Sequence, residues 1–174
     1  MRGAPRNKKD EPMYRILGVD PGSRCTGYGV ITGEGDELRY IDSGFIAPQK
    51  TATRYEKLRA IFEGIQQVIN QHSPTHFAIE DVFYSKNARS SLVLGEARGA
   101  AILAAALAGI PVYEYSPREI KQSVTGQGGA DKSQVNYMLG KILRLDETPA
   151  NSDESDALAV ALCHAFKNRE WTVT

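Results

Sequence analysis

The sequence predicts one α/β domain built on a five-stranded mixed sheet, three antiparallel strands followed by two parallel ones, with helices on both faces. Two patterns carry this prediction. Three short β-rich segments joined by tight turns open the chain, and apolar positions at helical spacing then precede each of two further β-rich runs. With 174 residues, 41% of them hydrophobic, the chain can close a single core.

Met1 to Pro12 mixes charged residues with Pro5 and Pro12 and has no apolar periodicity, so 1–12 reads as a flexible tail before a domain over 13–169, with a short tail at 170–174. Arg15 to Asp20, Gly27 to Thr32 and Glu37 to Ile46 then read as an antiparallel meander, with Gly33 to Asp36 as a hairpin loop. Leu58, Ile61, Phe62, Ile65, Val68 and Ile69 mark a helix ending near Pro74, and His76 to Glu80 is the fourth strand. Ser90 to Ala108 is an Ala- and Gly-rich helix closed by Gly109, and Val112 to Tyr115 is the fifth strand. Ser116-Pro117-Arg118-Glu119 is a capping box with proline at the first helical position. Lys132 to Leu143, capped by Asp131 with Gln134, and Asp153 to Lys167 complete the pattern.

Right-handed crossovers place the strand ending at Glu80 parallel to the strand ending at Asp20. Both carboxylates then leave the same edge of the sheet, where open α/β sheets build their sites. Asp153 and Asp156, spaced i, i+3, project from the first turn of the last helix. If that helix docks at the strand ends, four carboxylates converge and require cations, and hard oxygen ligands select Mg²⁺ or Mn²⁺. Three of the four acids also have an ordinary explanation. An aspartate before Pro-Gly-Ser forms turns, and an acid in a helix's first turn complements the macrodipole. Glu80 has neither duty. Its neighbour Asp81 faces the other side of the sheet by strand alternation.

Lysine plus arginine and aspartate plus glutamate both total 21, so any nucleic-acid contact must come from local segregation of charge. Between Val82 and Arg144 there are eight basic residues and four acidic ones. The segment after Glu80 carries Phe83, Lys86 and Arg89, suited to stacking on bases and gripping phosphates, although Phe83 also fits a core position. Lys121 and Lys132 read, on spacing alone, as solvated helix-face residues. Gly126 to Ser133 nearly matches a P-loop, but Asp131 replaces its second glycine and the segment follows a helix. Cys25 and Cys163 form no CxxC, and the three histidines form no HExxH, which excludes zinc-cluster and zincin classes. The longest mostly apolar stretch, Gly99 to Val112, is too short for a membrane span, and no signal-peptide core follows the basic start. A soluble cytoplasmic protein is expected, without membrane partners.

Ile16 to Arg24 with Thr26-Gly27-Tyr28-Gly29, then Phe77 to Glu80 with Val82-Phe83, Lys86-Asn87 and Gly95 through Gly99, resemble the RuvC family of bacterial Holliday junction resolvases. Glu114-Tyr115, Lys121-Gln122, Lys132 to Val135, Asp153 and Asp156 to Ala159 follow in the family's order, so the resemblance runs from Tyr14 to His164. It implies an RNase H-like fold of the retroviral-integrase superfamily. It further implies a homodimer, four-way junction DNA as substrate, Mg²⁺-dependent nicking of two opposing strands, and coupling to the RuvAB branch-migration complex. Position by position, Asp20, Glu80, Asp153 and Asp156 match the metal-binding tetrad. Lys121 and Lys132 match basic residues near the scissile phosphate, and Phe83 matches an aromatic that contacts junction bases. The chain departs from the pattern in its N-terminal prefix, in the charge of Asp81 and in ending soon after Trp171.

The expected chemistry is two-metal phosphodiester hydrolysis in which Asp20 bridges two ions, Glu80 holds one, and Asp153 with Asp156 hold the other. A lysine offsets charge on the phosphate. Two other classes remain. A non-catalytic RNase H-like DNA-binding module would have no use for all four acids. An actin-like nucleotide binder, suggested by Asp20-Pro21-Gly22-Ser23, would need a second domain to close its cleft.

Overall fold

A computed structural model describes residues 14–34, 37–81 and 87–168. Strand β1 (Tyr14–Asp20) pairs antiparallel with β2 (Thr26–Glu34), in register from Tyr14 opposite Gly33 to Asp20 opposite Gly27. β2 pairs antiparallel with β3 (Glu37–Ile46), with a bulge between Val30 and Ile31. β4 (His76–Glu80) lies parallel to β1, and β5 (Val112–Tyr115) lies parallel to β4, so the sheet order is β3-β2-β1-β4-β5. The predicted sheet is therefore the observed one. The terminal segments 1–12 and 170–174 fall outside the described residues.

Each helix starts where its cap dictates. Helix α1 (Arg54–His72) begins at a Thr53/Glu56 capping box and stops at Ser73, which takes up a left-handed φ of 46°. α2 (Ala88–Leu107) is capped by Asn87, whose Oδ1 accepts from the Arg89 and Ser90 N–H groups. α3 (Pro117–Thr125) and α4 (Lys132–Leu143) begin at the Ser116/Glu119 and Asp131/Gln134 boxes, and α5 (Ser152–Lys167) is capped by Asn151.

Strand alternation divides the core into two layers. Ile16, Ile31 and Ala78 face α3, α4 and α5, while Leu17, Val19, Phe77 and Ile79 face α1 and α2. α5 is the central element: every residue from Ala157 to Ala165 is buried. It reaches that depth because Gly18 and Gly29, opposite one another on β1 and β2, leave a trough. A Cβ on Gly18 would lie 2.2 Å from the Ala157 carbonyl oxygen, and one on Gly29 would lie 2.7 Å from the Leu158 side chain. The trough runs toward Asp20 and aims the first turn of α5 at the end of β1.

α2 extends the apolar stretch beyond the Gly99 to Val112 limits expected from sequence. Its 20 residues are long and apolar enough to cross a membrane, but Ala97, Ala101, Ala104 and Ala105 are buried in the layer formed with α1 and the sheet.

Candidate active site

Asp20 and Glu80 are the last residues of neighbouring parallel strands, and the alternation that sends Ile16 and Ala78 toward α5 sends these two carboxyls the same way. Their side chains hydrogen-bond to each other. Burial, reinforced by Glu80 and by the charges of Asp156 and Asp153, pushes the Asp20 carboxyl up to about 8. Glu80 is also raised, chiefly by burial and by Asp156. The hydrogen bond from Asp20 and the ammonium groups of Lys132 and Lys121 pull it down. Both carboxyls therefore resist ionisation, and they release their protons as a pair.

Asp20, Glu80, Asp156, Lys121 and Lys132 line one cleft of about 290 Å³. Its apolar wall comes from Ile120, Val135 and Ala159. Lys132 Nζ donates to Asp156 Oδ2 at 2.7 Å, bridging the start of α4 to the first turn of α5. Asp153, three residues earlier in that turn, stands outside the cleft lining. Its backbone N–H donates to Asn151 Oδ1 at 2.8 Å, and its carboxyl interacts with Cys25 at the end of the β1–β2 turn while still acting on Asp20 through its charge. Burial, then Asp153, push the Cys25 thiol up to about 12, so this sulfur stays protonated.

The donor set suits a small hard divalent cation. The acids around the cleft supply carboxylate oxygens only; burial and the neighbouring charges raise Asp20, and Asp156 takes a lysine as its partner. Among the described residues no three such side chains form a closed ion cage, so ions would have to draw Asp153 and Asp156 toward the strand ends.

The other candidate residues are distributed differently. Asp81 lies on the α2 side of the sheet, 3.5 Å from the Arg98 guanidinium, which also meets Glu114 and donates to the Glu80 carbonyl. Arg89 is exposed in the first turn of α2 and lines a separate cavity on that same side. Phe83 and Lys86 lie outside the described residues. Three contributors were missed from sequence: Asn151, legible as an N-cap; Gly27, whose partner is tertiary; and Arg98, which ties the end of β4 to β5. A larger concavity, about 800 Å³ between β3 and the end of α4, is lined by Glu37, Arg39, Arg144 and Glu154 and is separate from the cleft holding Asp20 and Glu80.

Comparison with known proteins gives one family. The family described as crossover junction endodeoxyribonuclease RuvC matches residues 16–164. A protein of that name from Idiomarina loihiensis is 54% identical over 161 residues, 90% of this chain and 90% of its own. One from Pelotomaculum thermopropionicum is 46% identical over 150 residues, 86% of this chain and 92% of its own. The structure of Thermus thermophilus RuvC in complex with Holliday junction substrate matches with a TM-score of 0.86 at 34% identity, covering 91% of this chain and 97% of that one. The yeast mitochondrial Holliday junction resolvase Ydc2 shares the fold, with a TM-score of 0.61 at 13% identity, covering 95% of this chain and 84% of that one.

Proposed function

Because this chain belongs to the RuvC family of crossover junction endodeoxyribonucleases, with the RNase H-like fold of that family, we propose that the cleft between Asp20, Glu80 and Asp156 hydrolyses the scissile phosphodiesters of four-way DNA junctions. The enzyme is a Holliday junction resolvase, acting in homologous recombination and DNA repair. A single domain over 13–169 carries the reaction, in the cytoplasm.

The observation that supports this most directly is the convergence of Asp20, Glu80 and Asp156 with Lys121 and Lys132 on one cleft. Two Mg²⁺ ions, or Mn²⁺ in their place, would be held by Asp20, Glu80, Asp153 and Asp156. When bound, such ions acidify an attacking water and offset charge on the phosphate. The residues do the rest. Asp20 would have to ionise for its carboxylate to hold such an ion. Lys132 leaves Asp156 and turns its ammonium to the phosphate, where Lys121 already faces the cleft. The apolar wall of Ile120 and Val135 limits competing solvent. In-line attack on phosphorus leaves a 5′-phosphate and a 3′-hydroxyl. Phe83 contacts bases at the branch point, and Lys86 and Arg89 meet backbone phosphates.

The outward face of α2 supports a homodimer. Leu92, Gly95, Gly99, Leu103 and Leu107 are exposed along one stripe, with open space above both glycines. A two-fold pair of sites matches two equivalent junction strands. Coupling to the RuvAB branch-migration complex follows from family membership.

The deciding experiment compares nicking of a four-way junction with nicking of a linear duplex of the same sequence, with and without Mg²⁺. Junction-selective, Mg²⁺-dependent nicking that Asp20→Asn abolishes, with junction binding retained, is expected. Cutting by Asp20→Asn at the wild-type rate overturns the assignment.

A further inference from the structure

A second cavity lies around the carboxyl edge of the sheet from the carboxylates, on the α1 and α2 side. It measures about 280 Å³ and gathers Arg24 from the β1–β2 turn, Arg54 and Lys57 from the start of α1, and Arg89 from the start of α2. Leu58 and Val93 give it an apolar lining. Of the four cations, Arg54 is neutralised by Glu96, with which its guanidinium forms a paired contact. Among the described residues, no carboxylate lies within ion-pair distance of Arg24, Lys57 or Arg89.

That arrangement runs against local preference. Helix N-termini favour anions, yet Arg54, Lys57 and Arg89 all sit in first turns; α1 has one acid there, Glu56, engaged in its capping box, and the first turn of α2 has none. Cations converging where two helix dipoles also present positive ends are mutually unfavourable until an anion arrives. Local choices that oppose the fold's own electrostatics mark binding sites. The apolar lining fits a deoxyribose beside a phosphate rather than a free inorganic anion alone.

Position identifies the ligand. Arg24 is four residues beyond Asp20, so the two backbones lie within about 14 Å of each other, a span of only a few nucleotides. The carboxylates open on the α5 side of the sheet and this cavity opens on the other, so one DNA strand reaches both only by bending round the sheet edge.

We propose that the Arg24, Lys57 and Arg89 cavity binds the sugar-phosphate backbone within a few nucleotides of the cut, engaged by a strand that bends as at a branch point and missed by a straight duplex. This rests on the nuclease reading of the carboxylate cleft, and it makes the cavity a source of structure selectivity that is separate from the chemistry.

The test is a salt titration of binding in EDTA, using the full chain, a synthetic four-way junction and a linear duplex of matched sequence. Arg24→Gln and Lys57→Gln are each expected to lower the log–log salt slope for the junction by about 0.9 and to weaken junction binding about tenfold. Duplex binding and the single-turnover cutting rate at saturating enzyme in Mg²⁺ stay unchanged. Lys57→Arg restores the slope. Unchanged junction slopes, equal losses on junction and duplex, or no rescue by Lys57→Arg overturn the proposal. A wild-type protein that fails to nick junctions in Mg²⁺ overturns the underlying nuclease reading instead, so the two failures are distinguishable.

Discussion

The space where a Gly27 side chain would stand is occupied by Asp153: a Cβ on Gly27 would lie 2.0 Å from the Asp153 carbonyl oxygen. Gly27 is also the ladder partner of Asp20, so one missing side chain seats the first turn of α5 over the end of β1. The contact is backbone, which cannot swing aside as a side chain can. Gly27→Ala should therefore cost about 3 kcal/mol, the upper part of the range for overpacking. It should also slow Mg²⁺-dependent cutting by more than it weakens junction binding. Urea denaturation and single-turnover cleavage check both parts, and wild-type values for both would refute the seating role.

The strands and caps were legible because their signals are local. Asp20 and Glu80 each end an apolar strand, and Ser116/Glu119 and Asp131/Gln134 announce their helices within four residues. What was not legible is tertiary. In a strand pattern Gly18 and Gly27 read only as weak β formers, since nothing nearby names the helix that fills their missing volume. The Lys132–Asp156 bridge joins positions 24 residues apart across a polar loop. Spacing put Asp153 and Asp156 on one turn, but not which of them lines the cleft.

Asp20 should destabilise the cation-free protein. Its carboxyl is raised from 3.8 to about 8 in the folded state, so between those values the folded chain binds more protons than the unfolded chain, and stability falls as pH rises through that window. Asp20→Asn removes this penalty. In EDTA at pH 8 the variant should melt above wild type, the gap should close toward pH 4, and Mg²⁺ should raise the Tm of wild type more than that of the variant. Each pKa unit realised is about 1.4 kcal/mol, or about 2–4 °C for a chain of this size. A variant that melts at or below wild type at pH 8 would remove the repulsion argument.

Lys132 has two opposed duties, neutralising Asp156 and facing the phosphate. Lys132→Gln should free the carboxylate, lowering the Mg²⁺ concentration for half-maximal rate, while the rate at saturating Mg²⁺ drops about 10- to 100-fold, in line with loss of a single charge-stabilising group. Lys121→Gln, which forms no such bridge, should slow cutting with little change in Mg²⁺ dependence. A titration of cleavage rate against Mg²⁺ for the two variants separates these effects; identical profiles would return Lys132 to a structural role.

His164 sets a limit on acid stability. It is buried in α5 against Tyr115, whose hydroxyl lies 2.7 Å from its Nδ1, and burial holds the imidazole down to about 3 from an ordinary 6.5. The unfolded chain then binds the proton that the folded chain refuses, so stability is intact above 6.5 and declines as pH falls from there toward 3. His164→Gln, although less stable at pH 7, should show a flatter decline between pH 6.5 and 4 in urea titrations. Parallel curves for the two proteins would place the acid sensitivity elsewhere.

The stripe on α2 offers the cleanest test of assembly, because a change there can spare the monomer. Among the described residues nothing lies within 4 Å of a Cβ built on Gly99, while Leu103 and Leu107 remain 52% and 67% exposed. Gly99→Leu should therefore leave the isolated fold intact, and it should favour the helix, since glycine is the poorer helix former by up to about 1 kcal/mol. In a dimer that uses this stripe, the same leucine blocks close helix approach. Sedimentation should show the variant as monomer at concentrations where wild type is dimeric, with no loss of Tm for the monomeric fold. Its cleavage of a four-way junction should stop at single nicks, because paired incision needs both sites on one DNA. A Gly99→Leu protein that stays dimeric and cuts both strands together would move the seam to another face.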